Sequence, residues 1–594
     1  MTAATASRSG ASGRIVKAET LTGVAHRLCL LWLATATVLS LAALPSLFSQ
    51  GNYALVDYDF LAEDLPVLAA LSAFAAMGLL LPVTRAAAAP GPYGESLFLR
   101  RPKATLAALA GASLLIAWMG ARFTLLGLAL SPDEFMARFD AEIFRHGEIM
   151  ASVPTTWRPF AAALQPMFMT IAPSGAKWSS SYLPLNAAIL ALAGGAAPWV
   201  NPAWAAVSVL AVYGSARELW PKSPQAALLA AALLASSDQF LLMSASSYAN
   251  PAHLALNLVW LWLFVRGGWL RDAAALGVGF TACGLHQLAF HPLFVAPFIL
   301  ELWLERRWRR AGIFTLGYAA ICLFWVIYWS LAAKIEGLAA PAMAMQSAGG
   351  FFAHAVTLIS AFDLGSFGIM AKNLVRFIAW QNPLAISLAL VGIPLAWRAR
   401  GMARALAAGI PLMVASMLLV LPYQGYGWGY RYLHGVLGSV CLLGGLGATS
   451  LIEGLGSNEK RRVLTVFVTV SAASLLVLTP VRLWQAARWF GPYERAHQAI
   501  AAAPAKVVLV DEDEITFGRH LVRNDPFLSN SPLVFDLESL TAPQVRDLCG
   551  RYSVSLFDRA VAARLGLPPR DAPATWREGL LKQLHCGVST LGPR

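Results

Sequence analysis

About thirteen apolar runs, most of them near the roughly 20 residues a helix needs to cross a bilayer, dominate this chain. They lie near 28–49, 65–83, 104–130, 202–219, 224–240, 250–266, 272–286, 289–304, 311–333, 380–397, 403–422, 432–453 and 463–480. A soluble fold would have to hide all of these helices under a polar coat. Only 13% of the 594 residues are charged, against about 25% in an ordinary soluble chain, so that coat is missing. The chain reads as a polytopic α-helical membrane protein.

The net charge of +13 does not point to nucleic acid, because no basic stripe with stacking aromatics is present. Lys and Arg sit instead in short loops between apolar runs: Arg100, Arg101 and Lys103; Arg306, Arg307, Arg309 and Arg310; Lys460, Arg461 and Arg462. Cytoplasmic loops carry such charge. The first loop opposite is acidic, with Asp57, Asp59, Glu63 and Asp64. This pattern is kept only if a further apolar run, 182–197, does not cross, so it is expected to be a re-entrant or juxtamembrane helix. Two long loops, 131–201 and 334–379, then fall outside. The basic N-terminus with the run 28–49 resembles a signal peptide, but the run is long and no small-x-small cleavage site follows, so it is expected to remain as a span.

Three parts follow: a disordered cytoplasmic tail (1–24), a transmembrane domain (25–480) and a soluble α/β domain (481–594), placed outside by the odd span count. In the last part Lys506–Val510, Leu533–Phe535 and Val554–Phe557 read as strands, alternating with helical stretches at 541–549, 558–565 and 574–585. The acidic run Asp511-Glu512-Asp513-Glu514 reads as a solvated strand end. Cys29, Cys283, Cys322 and Cys441 lie in or beside apolar runs as packing residues. Cys549 and Cys586 could pair if their domain is extracytoplasmic.

The segment with most chemistry is Ser131-Pro132-Asp133-Glu134, closing the third run. Ser131 as N-cap, Pro132 in the first turn and Glu134 three residues after the cap make a capping box. Phe135, Phe139, Ile143 and Met150 then recur at helical spacing, so a helix is expected on the membrane surface. Capping accounts for Glu134 and leaves Asp133 over. A carboxylate at a helix start, above the bilayer, can take a proton from an acceptor hydroxyl. A sugar on a lipid phosphate would sit at the same depth.

An Asp-Glu pair ending an early span, then a surface helix, then Tyr182-Leu183-Pro184-Leu185 and Ala216-Arg217-Glu218-Leu219, resembles the GT-C superfamily of integral-membrane glycosyltransferases. That superfamily includes protein mannosyltransferases and lipid A aminoarabinose transferases. The motifs cover about 104–300. The resemblance implies a polyprenyl-phosphate sugar donor, transfer outside the cytoplasm and usually inversion at the anomeric carbon. Asp133 matches the catalytic acidic position, with Glu134 its neighbour. Two spans precede the one that should be first. A second acidic residue common in the next outer loop is replaced by Ser246-Ser247-Tyr248-Ala249-Asn250-Pro251-Ala252-His253. Some members hold a divalent metal with such acids, so no tightly bound cofactor or metal is expected.

A departing lipid phosphate needs cations where charge develops. Arg431, Lys372 and Arg376 are candidates. Arg431 lies in Tyr426-Gly427-Trp428-Gly429-Tyr430-Arg431-Tyr432-Leu433-His434, which also reads as an interfacial aromatic belt. Tyr182, His286, Gln287, Tyr430 and His434 are candidate substrate contacts. His146 and Trp157 are weaker candidates for acceptor contact. His286 and His291 are five apart, which does not place two ligands on one helix face, so zinc is not expected and interhelical bonding is the ordinary fate.

The expected activity is transfer of one sugar from a polyprenyl phosphate to a glycan, lipid or protein acceptor at a bacterial inner membrane. The C-terminal domain would cover the cavity or bind the acceptor. A transporter or flippase predicts inverted repeats and charges near the midplane, and neither is visible. A noncatalytic envelope protein predicts no consequence from replacing Asp133.

Overall fold

The computed structural model describes residues 20–47, 54–80, 98–165, 167–172, 175–337, 365–568, 570 and 589–590. The expected tail, the centre of the loop 334–379, the helix at 574–585 and Cys586 lie outside the described residues, so the Cys549–Cys586 pairing does too.

Among the described residues eight helices are long and apolar enough to cross a membrane: Leu21–Leu47, Val56–Leu80, Pro102–Thr124, Leu185–Leu219, Trp308–Ile335, Gly401–Val420, Arg431–Glu453 and Ser457–Ala501. A ninth is reached if Gln225–Ala235 and Asp238–Ala245, bent by 58°, form one broken span. Large apolar side chains on them stay uncovered, among them Leu30, Val38, Phe74, Leu115, Leu316, Leu323 and Leu476. So much bare apolar surface belongs in lipid. The protein is a multi-pass membrane protein.

The count of thirteen spans is not confirmed. The runs at 250–266, 272–286, 289–304 and 380–397 are helices of 15 to 17 residues. A helix of that length rises about 23–26 Å, short of a bilayer core of roughly 30 Å. Run 182–197 is a nine-residue helix, Leu185–Ala193, followed by a 3-10 turn, Gly194–Trp199, that leads into Val200–Leu219. By itself the short helix rises only about 14 Å. It packs through Ala187 and Leu190 on Ala141 of the helix Pro132–Arg145.

The helix Leu437–Glu453 runs through the middle of the bundle, almost wholly buried. Its glycines let neighbouring backbones come close. A methyl group on Gly447 would lie 2.1 Å from the carbonyl oxygen of Leu388, and one on Gly392 would lie 2.0 Å from that of Leu443. Backbone oxygens in helices cannot step aside, so Gly447→Ala is expected to push the two helices apart at a cost of about 1–3 kcal/mol. Thermal melting in detergent measures it; an unchanged melting point would refute this packing.

One end of the bundle carries the polar structure. The strands β1 (Ala151–Ser152), β2 (Met169–Ile171) and β3 (Lys177–Ser180) form an antiparallel sheet in the order β1-β3-β2. The C-terminal strands β4 (Val507–Val510), β5 (Leu533–Asp536), β6 (Val554–Phe557) and β7 (Ser589–Thr590) form a parallel sheet in the order β5-β4-β6-β7. Helices Ala542–Arg551 and Arg559–Arg564 alternate with its strands. The two sheets share one core, in which Phe139, Phe160 and Trp178 meet Leu509, Phe535 and Leu548.

Beyond 480 the chain continues as the helix Thr479–Ala501. One further expectation needs correcting. Asp511 and Glu514 are buried rather than solvated, with Glu512 and Asp513 only half-covered. Chain beyond the strand end crosses above them: the Arg570 backbone N–H donates to the Glu514 carbonyl at 2.9 Å.

Candidate functional site

The capping box predicted at Ser131 is present in both halves. Ser131 Oγ accepts from the Glu134 backbone N–H at 3.2 Å, and the Glu134 carboxylate accepts from the Ser131 N–H at 3.1 Å. The other Glu134 oxygen accepts from the Ser247 N–H at 2.9 Å. Glu134 is thus buried with both oxygens engaged, and it does not line the cavity beside it. Burial raises its pKa despite those hydrogen bonds.

Asp133 points the other way, into a cavity of about 390 Å³. Its two oxygens accept from the Tyr182 hydroxyl and from Arg431 Nη1. Tyr182 is carried by the turn after β3, and β3 is fastened to the helix Pro132–Arg145 by Asp140, which accepts from the Ser180 N–H at 2.9 Å and from the Ser180 hydroxyl. Burial lifts the Asp140 carboxyl to about 6, against those two bonds. The His286 ring lies 3.9 Å from the Tyr182 ring, centre to centre. Its turn is tied down where the Leu183 and Leu185 N–H groups donate to the carbonyls of His286 and Gly284, at 3.1 and 2.9 Å.

Arg431 sits between the rings of Tyr248 and Tyr432, at 5.0 and 5.2 Å from their centres. Nη2 donates to the Gln424 carbonyl at 2.6 Å, while buried Nε has no hydrogen-bond partner among the described residues. Burial alone would raise the Asp133 pKa. The adjacent Arg431 charge, with help from His286 and Tyr182, overcomes that and holds the carboxyl at about 2. The Tyr182 hydroxyl is pushed well above its ordinary range by burial and by Asp133, so it remains a donor. Burial takes His286 down to about 4, against the pull of Asp133, and leaves its ring neutral.

The cavity gathers Asp133, Tyr182, His286, Gln287 and Arg431 from the sequence candidates. Others are not brought there. Lys372 pairs with Asp57, and Arg376 pairs with Asp59 beside Asp64, so the acidic loop consumes both cations. Tyr430 and His434 are buried among helices away from the cavity, and the Tyr430 carbonyl accepts from Gln239 Nε2 at 3.0 Å. His291 has the interhelical fate: its ring nitrogens lie 2.7 Å from Asn257 Oδ1 and from the Tyr318 hydroxyl. His146 packs on Phe527 and Trp157 on Phe535 and Tyr552, joining the long loop to the C-terminal sheet.

Sequence reasoning missed part of the wall. Gln424 and Tyr432 flank Arg431, and Asn250 and His253 come from the segment noted only for lacking an acid. Among the described residues neither ring nitrogen of buried His253 has a hydrogen-bond partner. Phe517 and His520, from the C-terminal part, complete the wall, stacked at 4.7 Å. Burial lowers His520 to about 3, so it too is neutral. Among the described residues no three His, Cys, Asp or Glu side chains gather as metal ligands.

No family model matches the chain, and no curated protein matches it. Among solved structures it is similar to ArnT from Cupriavidus metallidurans bound to undecaprenyl phosphate, at 13% identity and a TM-score of 0.46, over 72% of this chain and 85% of that one. The apo state of ArnT gives 0.43 at the same identity and coverage.

Proposed function

We propose that the protein is a GT-C-type glycosyltransferase of a bacterial inner membrane, moving a sugar from a polyprenyl phosphate to an acceptor hydroxyl on the non-cytoplasmic side. One observation carries the reading: Asp133 and Arg431 face each other in the wall of a cavity at the polar end of an apolar bundle, and Arg431 has an Nε–H to spare. A carboxylate and a guanidinium are the base and the phosphate clamp that this transfer needs.

Paired with Arg431, Asp133 is too acidic to accept a proton near neutrality. A donor phosphate would draw the guanidinium to itself, since its charge and its oxygens outbid one carboxylate. Asp133 would then lose the charge that holds its pKa down and regain basicity in a buried setting. In the transfer step Asp133 takes the acceptor proton. The acceptor oxygen forms its bond to the anomeric carbon as the bond from that carbon to the phosphate oxygen breaks. The lipid phosphate leaves with the electron pair, against Arg431. Tyr182 remains protonated and steadies the carboxylate. Phe517 and His520 shield the cavity from water. The cavity has one carboxylate, already shared by Tyr182 and Arg431, which does not suit a divalent metal, and no step is routed through one.

Purified wild type and Asp133→Asn, offered a panel of radiolabelled polyprenyl-phosphate sugars with envelope acceptors, test this. Loss of a general base is expected to slow transfer at least about 100-fold. Equal transfer by both proteins would remove Asp133 from the mechanism. No transfer by wild type with any donor would remove the activity.

A further inference from the structure

Behind the helix Pro132–Arg145 lies a second cavity, of about 420 Å³, that takes no part in the proposed reaction. Arg138, Glu142 and Arg145 recur at four and three residues, so they share one helix face. Asp133 is on the opposite side, in the other cavity. Arg122, near the end of the apolar helix Pro102–Thr124, completes the wall. Three arginines and one glutamate thus line the cavity, with Glu134 facing Arg138 from outside it.

Their existing partners leave charge over. Arg145 pairs with Glu142 at 2.9 Å. Arg138 donates to the Gly127 carbonyl at 2.6 Å and to Ser247 Oγ at 2.7 Å, and the buried Glu134 carboxylate, one turn earlier, balances its charge, so the surplus lies with Arg122. Arg122 has no hydrogen bond or ion pair among the described residues, and only the Phe123 ring lies beneath it, at 5.7 Å. A cation at the end of a membrane helix without an acidic partner wants an anion from elsewhere.

The surroundings say which kind. Trp118, in the cavity wall, stacks on Trp199 at 4.9 Å, an aromatic pair of the sort found at headgroup depth. Beside the cavity Met119, Phe123, Leu126 and Leu192 are uncovered, Leu192 to 89%. A small soluble anion would use the arginines and leave this apolar surface bare. A lipid uses both.

We infer that this cavity holds the phosphate headgroup of an anionic phospholipid, with its acyl chains along Met119, Phe123 and Leu192. The headgroup would brace the far side of the helix whose first turn carries Asp133. The site stands independently of the glycosyltransferase reading, and its test needs no sugar donor.

Native mass spectrometry of the full chain in detergent, titrated with phosphatidylglycerol or phosphatidylcholine, provides that test. Wild type is expected to retain phosphatidylglycerol about tenfold better, as charge-assisted phosphate contacts imply. Arg122→Gln/Arg145→Gln should fall to the phosphatidylcholine level. Glu142→Gln, which removes the carboxylate lining the cavity, should bind phosphatidylglycerol more tightly than wild type, a gain that misfolding cannot imitate. Equal retention of the two lipids by wild type, or no change in either variant, overturns the proposal. Displacement of phosphatidylglycerol by millimolar inorganic phosphate would also overturn it, by showing a soluble-anion site.

Discussion

Arg431→Gln is expected to lose about 3–5 kcal/mol of stability, because it strands a buried carboxylate whose cation is gone. In the wild type the guanidinium holds Asp133 at about 2, below its ordinary 3.8. A depressed carboxyl contributes stability that is present above 3.8 and is lost only as pH falls toward about 2. In the variant, burial is no longer overcome and the folded-state pKa rises above 3.8 instead. The sign then reverses. The folded variant binds a proton that the unfolded chain does not, so its stability declines as pH rises through that shifted value. The melting gap between wild type and Arg431→Gln should therefore be wider at pH 8 than at pH 5. Asp133→Asn/Arg431→Gln, with no charge to strand, should recover part of the loss. A gap that is constant, or wider at pH 5, would show that Asp133 and Arg431 are not paired in a buried site. The same substitution should abolish transfer, since the leaving phosphate loses its clamp.

How much of this site could be read beforehand depended on whether a residue's partner was local. Asp133 was legible because the capping box explains Ser131, Pro132 and Glu134 and leaves one carboxylate unused. Arg431 was legible because an arginine among glycines and aromatics is anomalous at the mouth of an apolar run. Lys372 and Arg376 were candidates behind Arg431, yet their carboxylates at Asp57 and Asp59 lie more than 300 residues away along the chain, and no local pattern reveals that pairing. Phe517 and His520 were invisible for a related reason: they sit in a short 3-10 turn with no periodicity, and only tertiary docking gives them a role. The count of thirteen spans is not confirmed where helices are short or broken. Ser236 and Ser237 interrupt one apolar run, and Gly194, at a φ of 54°, separates the short helix from the long one after it.

That docking makes Trp178→Ala the second large effect. Trp178 stands on β3 with its indole wholly buried, edge-on to Phe139 at 6.0 Å. Its N–H donates to the Pro526 carbonyl at 2.7 Å. The segment it holds is the one that brings Phe517 and His520 over the cavity. Asn524 Nδ2 donates to the Leu164 and Val534 carbonyls, and Arg523 donates to that of Leu130 at 2.7 Å, so four contacts pin residues 523–526 between the sheets. Replacing the indole by a methyl group leaves a large void and an unpaired carbonyl, at about 3–5 kcal/mol. Trp178→Phe keeps most of the filling and loses chiefly the hydrogen bond, at about 1 kcal/mol. Limited proteolysis should separate them: Trp178→Ala is cut rapidly between residues 502 and 532, wild type and Trp178→Phe slowly. Transfer should fall in Trp178→Ala as well, because water reaches the cavity once Phe517 and His520 are no longer held there. Equal protease resistance in all three proteins would mean that the C-terminal sheet does not rest on this tryptophan, and the shielding of the cavity would need another cause.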